Sequence, residues 1–481
     1  MRRQRIIGII FFTICLKPLC IAQQSADQII KQRIEDRNIP GIAFVVARDG
    51  EIIDEGYSGL ANVELNVPLT EKSVFAIASM SKTYTAAATL LLAERGLLQL
   101  DNFVKEYIPE APKSWDAMTI RHLLTHTSGL VDDWELYSWD ESNEFFLRTQ
   151  NDSSFLQHLF DQELKFEPGT NSRYSCGPFV LGVVIERVTG QSYGDYLKEF
   201  IFEPLNLNNT FIDHPYKIIP NRVSGYFDYD KTEMNAGVTG IGNGILISPV
   251  SYGRADVGIR TTAKDLVAFY DALLTGKLLN EESTRLMFSP AKLDNGDLVP
   301  TGPGWMNWPL VGRMVSEHSG AFRTGFSSQA FVIPKEKFIV ILLSNMSGGT
   351  NFSLAQKIAS AYYPELVQIS KRGLVADDKP NLTASHLELF TSLANEEMRI
   401  DLLSTAYPKS YLSPRLKKAM ADTDSIVFLN EEKVSDKKIK LFGSQIHYLR
   451  FYKLIGDKTY YTTVSLDNEH KIVFIDYPGT E

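Results

Sequence analysis

The apolar positions of the chain change period several times, and each change predicts an element. Residues 27–37 set apolar and charged side chains at helical spacing and predict a short amphipathic helix. Residues 41–50, Gly-Ile-Ala-Phe-Val-Val-Ala-Arg-Asp-Gly, read as a strand and a tight turn, with 51–56 as the returning strand. The rhythm changes at Ser79. Residues 80–95 are rich in alanine and leucine, lack proline and glycine, and stop at Gly96, which predicts a helix with a glycine end. Residues 177–189 predict a second such helix, ending at Gly190. Between 322 and 344, the apolar runs 329–334 and 338–343 flank Lys335-Glu336-Lys337 and predict paired strands. Strands near both ends of this region, with helices between, predict an α/β body whose terminal strands share one antiparallel sheet.

At 371–380, Lys-Arg-Gly and Asp-Asp-Lys-Pro break the apolar rhythm. Beyond it a helix is predicted over 386–405 and strands over 425–429, 446–454, 459–465 and 471–475. The expected organisation is a body over 23–370, a linker over 371–384 and a small α+β domain over 385–481. The first residues differ from all of this. A basic Met1-Arg-Arg-Gln-Arg5 precedes an apolar run over 6–16, too short for the ~20 residues that span a bilayer. Cys20-Ile21-Ala22 then supplies small residues for cleavage before Gln23. Residues 1–22 are therefore expected to be a signal peptide, and the protein to be periplasmic or secreted, with no stable membrane span.

Composition sharpens this picture at three points. In a chain of 481 residues, 44% hydrophobic and 22% charged, global disorder is excluded. The net charge is −9 and becomes −13 without the leader, which holds Arg2, Arg3, Arg5 and Lys17 and no acid. A surface that acidic repels phosphate backbones, so nucleic acid is not an expected partner. Cys15 and Cys20 lie in the leader, leaving Cys176 unable to form an intramolecular disulfide in the mature chain.

The candidate chemistry begins at Ser79-Met80-Ser81-Lys82, at the start of a predicted helix. Positions i and i+3 share a helix face, so the lysine amine can reach the serine hydroxyl. A serine needs a neighbour to take its proton, and a lysine can do so when burial and nearby positive potential depress its pKa. Ser435-Asp-Lys-Lys438 has the same spacing, but no apolar helix follows it, and it reads as a solvated turn. Two further pieces join the first. Glu167-Pro-Gly-Thr-Asn-Ser-Arg-Tyr174-Ser-Cys176 is a turn delivering a phenol ahead of an apolar helix, and Glu317-His318-Ser319-Gly320 ends in a glycine that permits close backbone approach.

In this order and at these separations, the three pieces resemble the S-x-x-K, Y-x-N and K-T-G or H-x-G elements of the class C β-lactamase-like serine hydrolases. That family includes esterases and D-amino-acid peptidases. Residues 119–130, 203–207 and 258–265 are similar to it as well, and the resemblance covers roughly 25–370. It implies a β-lactamase/transpeptidase-like fold, an antiparallel sheet flanked by helices plus an all-helical region, with the small C-terminal α+β domain added. It implies Ser79 as nucleophile, Lys82 as proton acceptor and Tyr174 as base and then acid, which of the latter two deprotonates Ser79 staying open. The backbone N–H groups of Ser79 and Ala321 would form the oxyanion hole, and Cys176, His318, Ser319 and Gly320 would meet the substrate. No cofactor or metal is implied, the substrate is a small molecule or peptide, and the oligomeric state is left open.

Cys176 departs from the family's asparagine, and a thiol donates and accepts poorly where an amide does both. His318 in place of a lysine removes a fixed cation at neutral pH. Both point toward an ester, or a D-amino-acid peptide or amide, over a β-lactam. The alternative is a non-catalytic module that keeps the fold to bind cell-wall peptides or a protein partner. Three other signals are set aside. His122-Leu-Leu-Thr-His126 lacks the glutamate of a zinc motif, the glycine-rich 237–244 lacks a phosphate-loop lysine, and no G-x-S-x-G elbow occurs. The aromatic clusters Trp134–Trp139 and Trp305–Trp308 read equally as cleft lining or as loop anchors.

Overall fold

The computed structural model describes residues 24–136, 152–214, 217–231, 239–244, 253–310, 313–322, 325–363, 366, 375–394, 399, 402–403, 420, 423–433, 440–441, 444–456, 459–475 and 479–480. The expected signal peptide lies outside these residues. Among them, no helix is long and apolar enough to cross a membrane.

The first helix, α1 (Ala26–Arg37), opens on a capping box in which Ser25 and Gln28 satisfy each other's backbone N–H groups, and it ends on left-handed Asn38. Strands β1 (Gly41–Arg48), β2 (Glu51–Asn62) and β3 (Val67–Pro68) follow. Helices α2 (Ser81–Glu94), α3 (Gly177–Thr189) and α4 (Ala263–Leu274) occupy the middle of the chain. Strands β4 (Thr301–Gly302), β5 (Trp305–Leu310), β6 (Arg313–Phe322), β7 (Phe326–Ile333) and β8 (Phe338–Ser344) then lead to helix α5 (Phe352–Ala359). The eight strands form one sheet in the order β4-β5-β6-β7-β8-β1-β2-β3. β1 pairs antiparallel with β8, from Ile42↔Ser344 to Arg48↔Phe338, so the two ends of this body do share a sheet as the pattern predicts.

Both faces of the central strands are covered, which is why they are apolar at nearly every position. Ile42, Phe44, Val46, Val340 and Leu342 pack with Ile29 and Ile30 of α1 and with Leu354 and Ile358 of α5. The alternate residues Ala43, Val45, Ala47, Ile339, Ile341 and Leu343 face the larger core that holds α2, α3 and α4.

The C-terminal part has its own core. Strands β9 (Thr423–Lys433), β10 (Tyr448–Gly456), β11 (Thr459–Leu466) and β12 (Ile472–Ile475) run in that order, and β13 (Gly479–Thr480) also pairs with β11. Leu389 and Phe390 of helix α6 (Pro380–Ala394) pack with Phe428, Tyr452, Leu454 and Val464. This unit begins earlier than the expected linker over 371–384 allows. Helix α6 starts at Pro380, Val375 donates its N–H to the Leu429 carbonyl, and buried Arg450 pairs with Asp377 at 2.7 Å and Glu431 at 2.9 Å. The helix expected over 386–405 is accordingly displaced toward the N-terminus.

Candidate active site

Ser79 sits in a tight turn rather than in the helix proper. Residues Ala78–Met80 form a single 3-10 turn, and α2 starts at Ser81. Ala78, a non-glycine residue, holds φ at 48°, in the left-handed region. Ala78 and Met80 are buried, while Ser79 between them stays half-exposed. From the first turn of α2, the Lys82 side chain, 3% exposed, brings Nζ to 3.2 Å from Ser79 Oγ. The amine also donates to the Asp256 carbonyl at 3.1 Å and stands 3.9 Å from Asp256 Oδ2.

Tyr174 completes this group. Its ring centroid is 5.0 Å from Lys82 Nζ. Burial pushes the phenol up to about 12 against the pull of the Lys82 charge, so it remains protonated at neutral pH. Two imidazoles flank it. His126 stacks on the ring at 4.7 Å and 24°, and His318 lies at 6.0 Å and 57°. His126 Nδ1 accepts the Ser175 N–H at 3.2 Å, which places its proton on Nε2. His318 Nδ1 lies 2.7 Å from the Ser319 carbonyl, which can only accept, so that nitrogen carries the proton and Nε2 is left as an acceptor. Burial and then the Lys82 charge lower both rings to about 3.

Those neutral histidines have a measurable consequence for stability. The folded chain resists protonating His126, His318 and, in the C-terminal unit, His386, whose ordinary value of 6.5 is also lowered by burial to about 3. The unfolded chain takes these protons below about pH 6.5. Stability is therefore full above pH 6.5 and falls as pH descends toward 3, by roughly 1 kcal/mol per pH unit per histidine. Urea midpoints at pH 7.5 and pH 5 measure it, and His318→Gln should flatten the slope. Equal midpoints would contradict the burial of these rings.

Strand β6 forms the opposite wall. Its pairing with β5 ends at Met306↔Glu317, and among the described residues only β7 pairs with it from His318↔Ala330 to Phe322↔Phe326. One edge of 318–322 is thus open, with Ser319 and Ala321 exposed and Gly320 buried. Gly320 lies against the turn that carries Ser79, where a Cβ would come within 2.1 Å of the Ile77 carbonyl oxygen and 2.4 Å of Ser328 Oγ. Ser328 Oγ donates to that same carbonyl at 2.7 Å, fixing the turn to the sheet. Backbone has no room to yield, so Gly320→Ala should destabilise the fold by about 1–3 kcal/mol. It should also cut turnover tenfold or more by displacing the Ser79 turn. Urea unfolding and kcat/KM check this, and an unaltered variant would rule out the close contact.

Of the residues expected at the site, Ser79, Lys82, Tyr174 and His318 come together, with Ser319, Gly320 and Ala321 on the adjoining edge. Cys176 behaves differently. It is 1% exposed and belongs to the apolar core, so it underlies the cleft rather than lining it. Two residues at the site carry no motif signal of their own, Arg254 and Asp256, and His126, read only as part of the family-like stretch 119–130 and of a discarded metal pair, joins them. The His122/His126 pair is divided, because His122 Nδ1 accepts the Thr119 N–H at 3.2 Å and its other nitrogen faces Asp294 at 3.8 Å. Among the described residues, no three His, Cys, Asp or Glu side chains gather as metal ligands do. Trp305 is 1% exposed and packs against Tyr270 and Phe288 as core. Residues 137–139 of the other aromatic cluster and Ser435–Lys438 lie outside the described residues.

Comparison with known proteins places the chain in a family. A family model described as Beta-lactamase matches residues 26–363. Penicillin-binding protein 4* of Bacillus subtilis (strain 168) is 31% identical over 322 residues, covering 65% of this chain and 69% of that protein. Esterase EstB of Burkholderia gladioli is 29% identical over 304 residues, covering 58% and 76% respectively. The octameric penicillin-binding protein homologue from Pyrococcus abyssi shares the fold with a TM-score of 0.58 at 19% identity, over 94% of this chain and 98% of that one. That likeness extends past residue 363 into the C-terminal sheet. With the family match covering well over half of its length, the chain belongs to the Beta-lactamase family of hydrolases.

Proposed function

We propose that the protein is an exported serine hydrolase that forms a covalent acyl-enzyme on an ester or on a D-amino-acid peptide or amide. The observation that carries this reading is the placement of the Lys82 amine 3.2 Å from Ser79 Oγ, with the Tyr174 ring centroid 5.0 Å from the same amine. Ser79 Oγ attacks the substrate carbonyl while its proton passes to Lys82 Nζ. The resulting oxyanion takes the N–H groups of Ser79 and Ala321, which the packed turn and strand hold in place. Collapse of the intermediate expels the leaving group, which takes a proton through Tyr174. Water then attacks the acyl-enzyme by the reverse proton path and frees Ser79.

The substrate preference follows from the walls. Neutral His318 offers its Nε2 as an acceptor and supplies no cation for a substrate carboxylate. Cys176, being buried, supplies no amide to a substrate carbonyl. The exposed edge at Ser319–Ala321 can pair with an extended acyl segment through backbone groups alone. This favours esters and short D-amino-acid derivatives over β-lactams, in keeping with the esterase among its relatives. A fluorophosphonate probe should label Ser79, and a panel of esters, D-amino-acid amides and β-lactams should show turnover of the first two classes. Saturable binding without turnover across the panel would establish the non-catalytic alternative instead.

A further inference from the structure

Beneath Lys82 the turn 254–258 carries a guanidinium and a carboxylate into the apolar interior. Arg254 is 3% exposed and Asp256 1%. The two form a fork, Nε to Oδ1 at 3.0 Å and Nη2 to Oδ2 at 2.6 Å. The guanidinium also lies 4.0 Å from the Phe155 ring centroid and 5.4 Å from that of Phe179. The turn has little freedom to slide. The N–H groups of Val257 and Gly258 both return to the Arg254 carbonyl, and a Cβ on Gly258 would meet Arg254 N at 2.6 Å. On its other side, a Cβ on Gly182 of α3 would meet Ala255 Cβ at 2.3 Å, and Thr85 of α2 donates to the Ala255 carbonyl.

We propose that Asp256 and Arg254 are positioning residues that set the proton affinity of Lys82. Asp256 holds the amine against Ser79 through its carbonyl, and Arg254 occupies the Asp256 carboxylate so that the amine can lose its proton and serve as acceptor. This rests on the reading of Lys82 as the proton acceptor. A buried carboxylate facing a lysine alone would fix it as an ammonium ion. With both carboxylate oxygens taken by a guanidinium, that field is largely cancelled at the amine.

Among the described residues, the groups facing Lys82 come from every element around it. Ser79 approaches from the turn, Tyr174 and His126 from their loops, His318 from β6, and Asp256 with Arg254 from below. Both imidazoles are neutral at the pH of interest, since each is lowered to about 3 by burial. Tyr174 keeps its proton there. Asp132 acts on the Tyr174 ring, and the Arg254–Asp256 pair places its charges beside the amine itself. Burial pushes the Asp256 carboxyl up, yet the charges of Arg254 and Lys82 hold it below the ordinary carboxylate range.

The test is the pH profile of kcat/KM for p-nitrophenyl acetate in four proteins: wild type, Asp256→Asn, Arg254→Gln and the double variant. Asp256→Asn removes the anion and leaves the cation, so the acid limb should move down by about one pH unit, a tenfold gain at a fixed pH on that limb. Arg254→Gln leaves the anion alone with Lys82, so the limb should move up by about one unit, a tenfold loss regained in alkali. The double variant should return close to the wild-type limb. A structural role would lower turnover at every pH and leave the limb in place, and that result overturns the proposal. Arg254→Gln leaves the buried carboxylate with Lys82 alone, without its guanidinium fork, and can fail to fold. Asp256→Asn is isosteric, still accepts from Arg254, and decides the matter without it. If Ser79 takes the fluorophosphonate in all variants while the limb stays fixed, the network idea falls and the hydrolase reading stands. Absence of labelling in the wild type removes the hydrolase reading itself.

Discussion

Ser79→Ala should reduce ester turnover by roughly 10⁴-fold or more, and abolish fluorophosphonate labelling, while leaving the fold intact. Ser79 is half-exposed and ends in an oxygen that accepts from Lys82 Nζ. Its removal costs little packing. On the proposed mechanism, what remains is the pair of N–H donors at positions 79 and 321, which can polarise a bound carbonyl for slow attack by water. The residual rate should therefore exceed that of the uncatalysed reaction without any burst of acyl-enzyme. Turnover kept within tenfold of wild type, after exclusion of contaminating esterase, would place the nucleophile elsewhere.

Lys82→Met should follow with a loss of about 10³-fold in kcat/KM, the order expected when a positioned proton acceptor is deleted. Methionine keeps most of the apolar stem, so packing within α2 is largely preserved. The amine is what disappears, and with it the contacts to Ser79 Oγ at 3.2 Å and to the Asp256 carbonyl at 3.1 Å. Probe labelling should slow in parallel, because it too needs the serine deprotonated. The comparison with Tyr174→Phe is informative. If Lys82→Met slows labelling while Tyr174→Phe chiefly slows breakdown of the tetrahedral intermediate, the lysine is the acceptor and the phenol the donor. A loss below tenfold in Lys82→Met would assign deprotonation to Tyr174.

Much of this site was legible before any coordinates. The three-residue interval from Ser79 to Lys82 at a helix start, the phenol at the end of a polar turn and the histidine ahead of a glycine all resembled one family, and the family match over 26–363 bears that out. Strands around 41–48 and 338–344 could be read because they are apolar throughout, a consequence of burial on both faces. What escaped was chemistry without local pattern. Arg254 and Asp256 stand two apart in an irregular turn, and nothing nearby in sequence says that Asp256 lies under Lys82, 174 residues earlier. His126 lies in the family-like stretch 119–130 but reads in sequence only as half of a metal-spaced pair. Only the fold stacks it on Tyr174, with φ at 59°, a conformation its own sequence does not advertise. The C-terminal unit was misjudged at its entrance, because Asp377 and Lys379, which look like linker polarity, are ion-paired to Arg450 and Glu431.

The position of β1 also constrains how the molecule comes to exist. It lies inside the sheet, and one of its two neighbours, β8, begins roughly 300 residues further along. A growing chain therefore exposes one flank of its earliest strand until nearly the whole family region has been synthesised. Assembly of the sheet cannot proceed in the order of translation; it waits for a late segment to close on an early one. Such delayed closure favours a holding factor during synthesis, and it leaves a long interval in which the polypeptide is still extended enough to be threaded through a narrow passage.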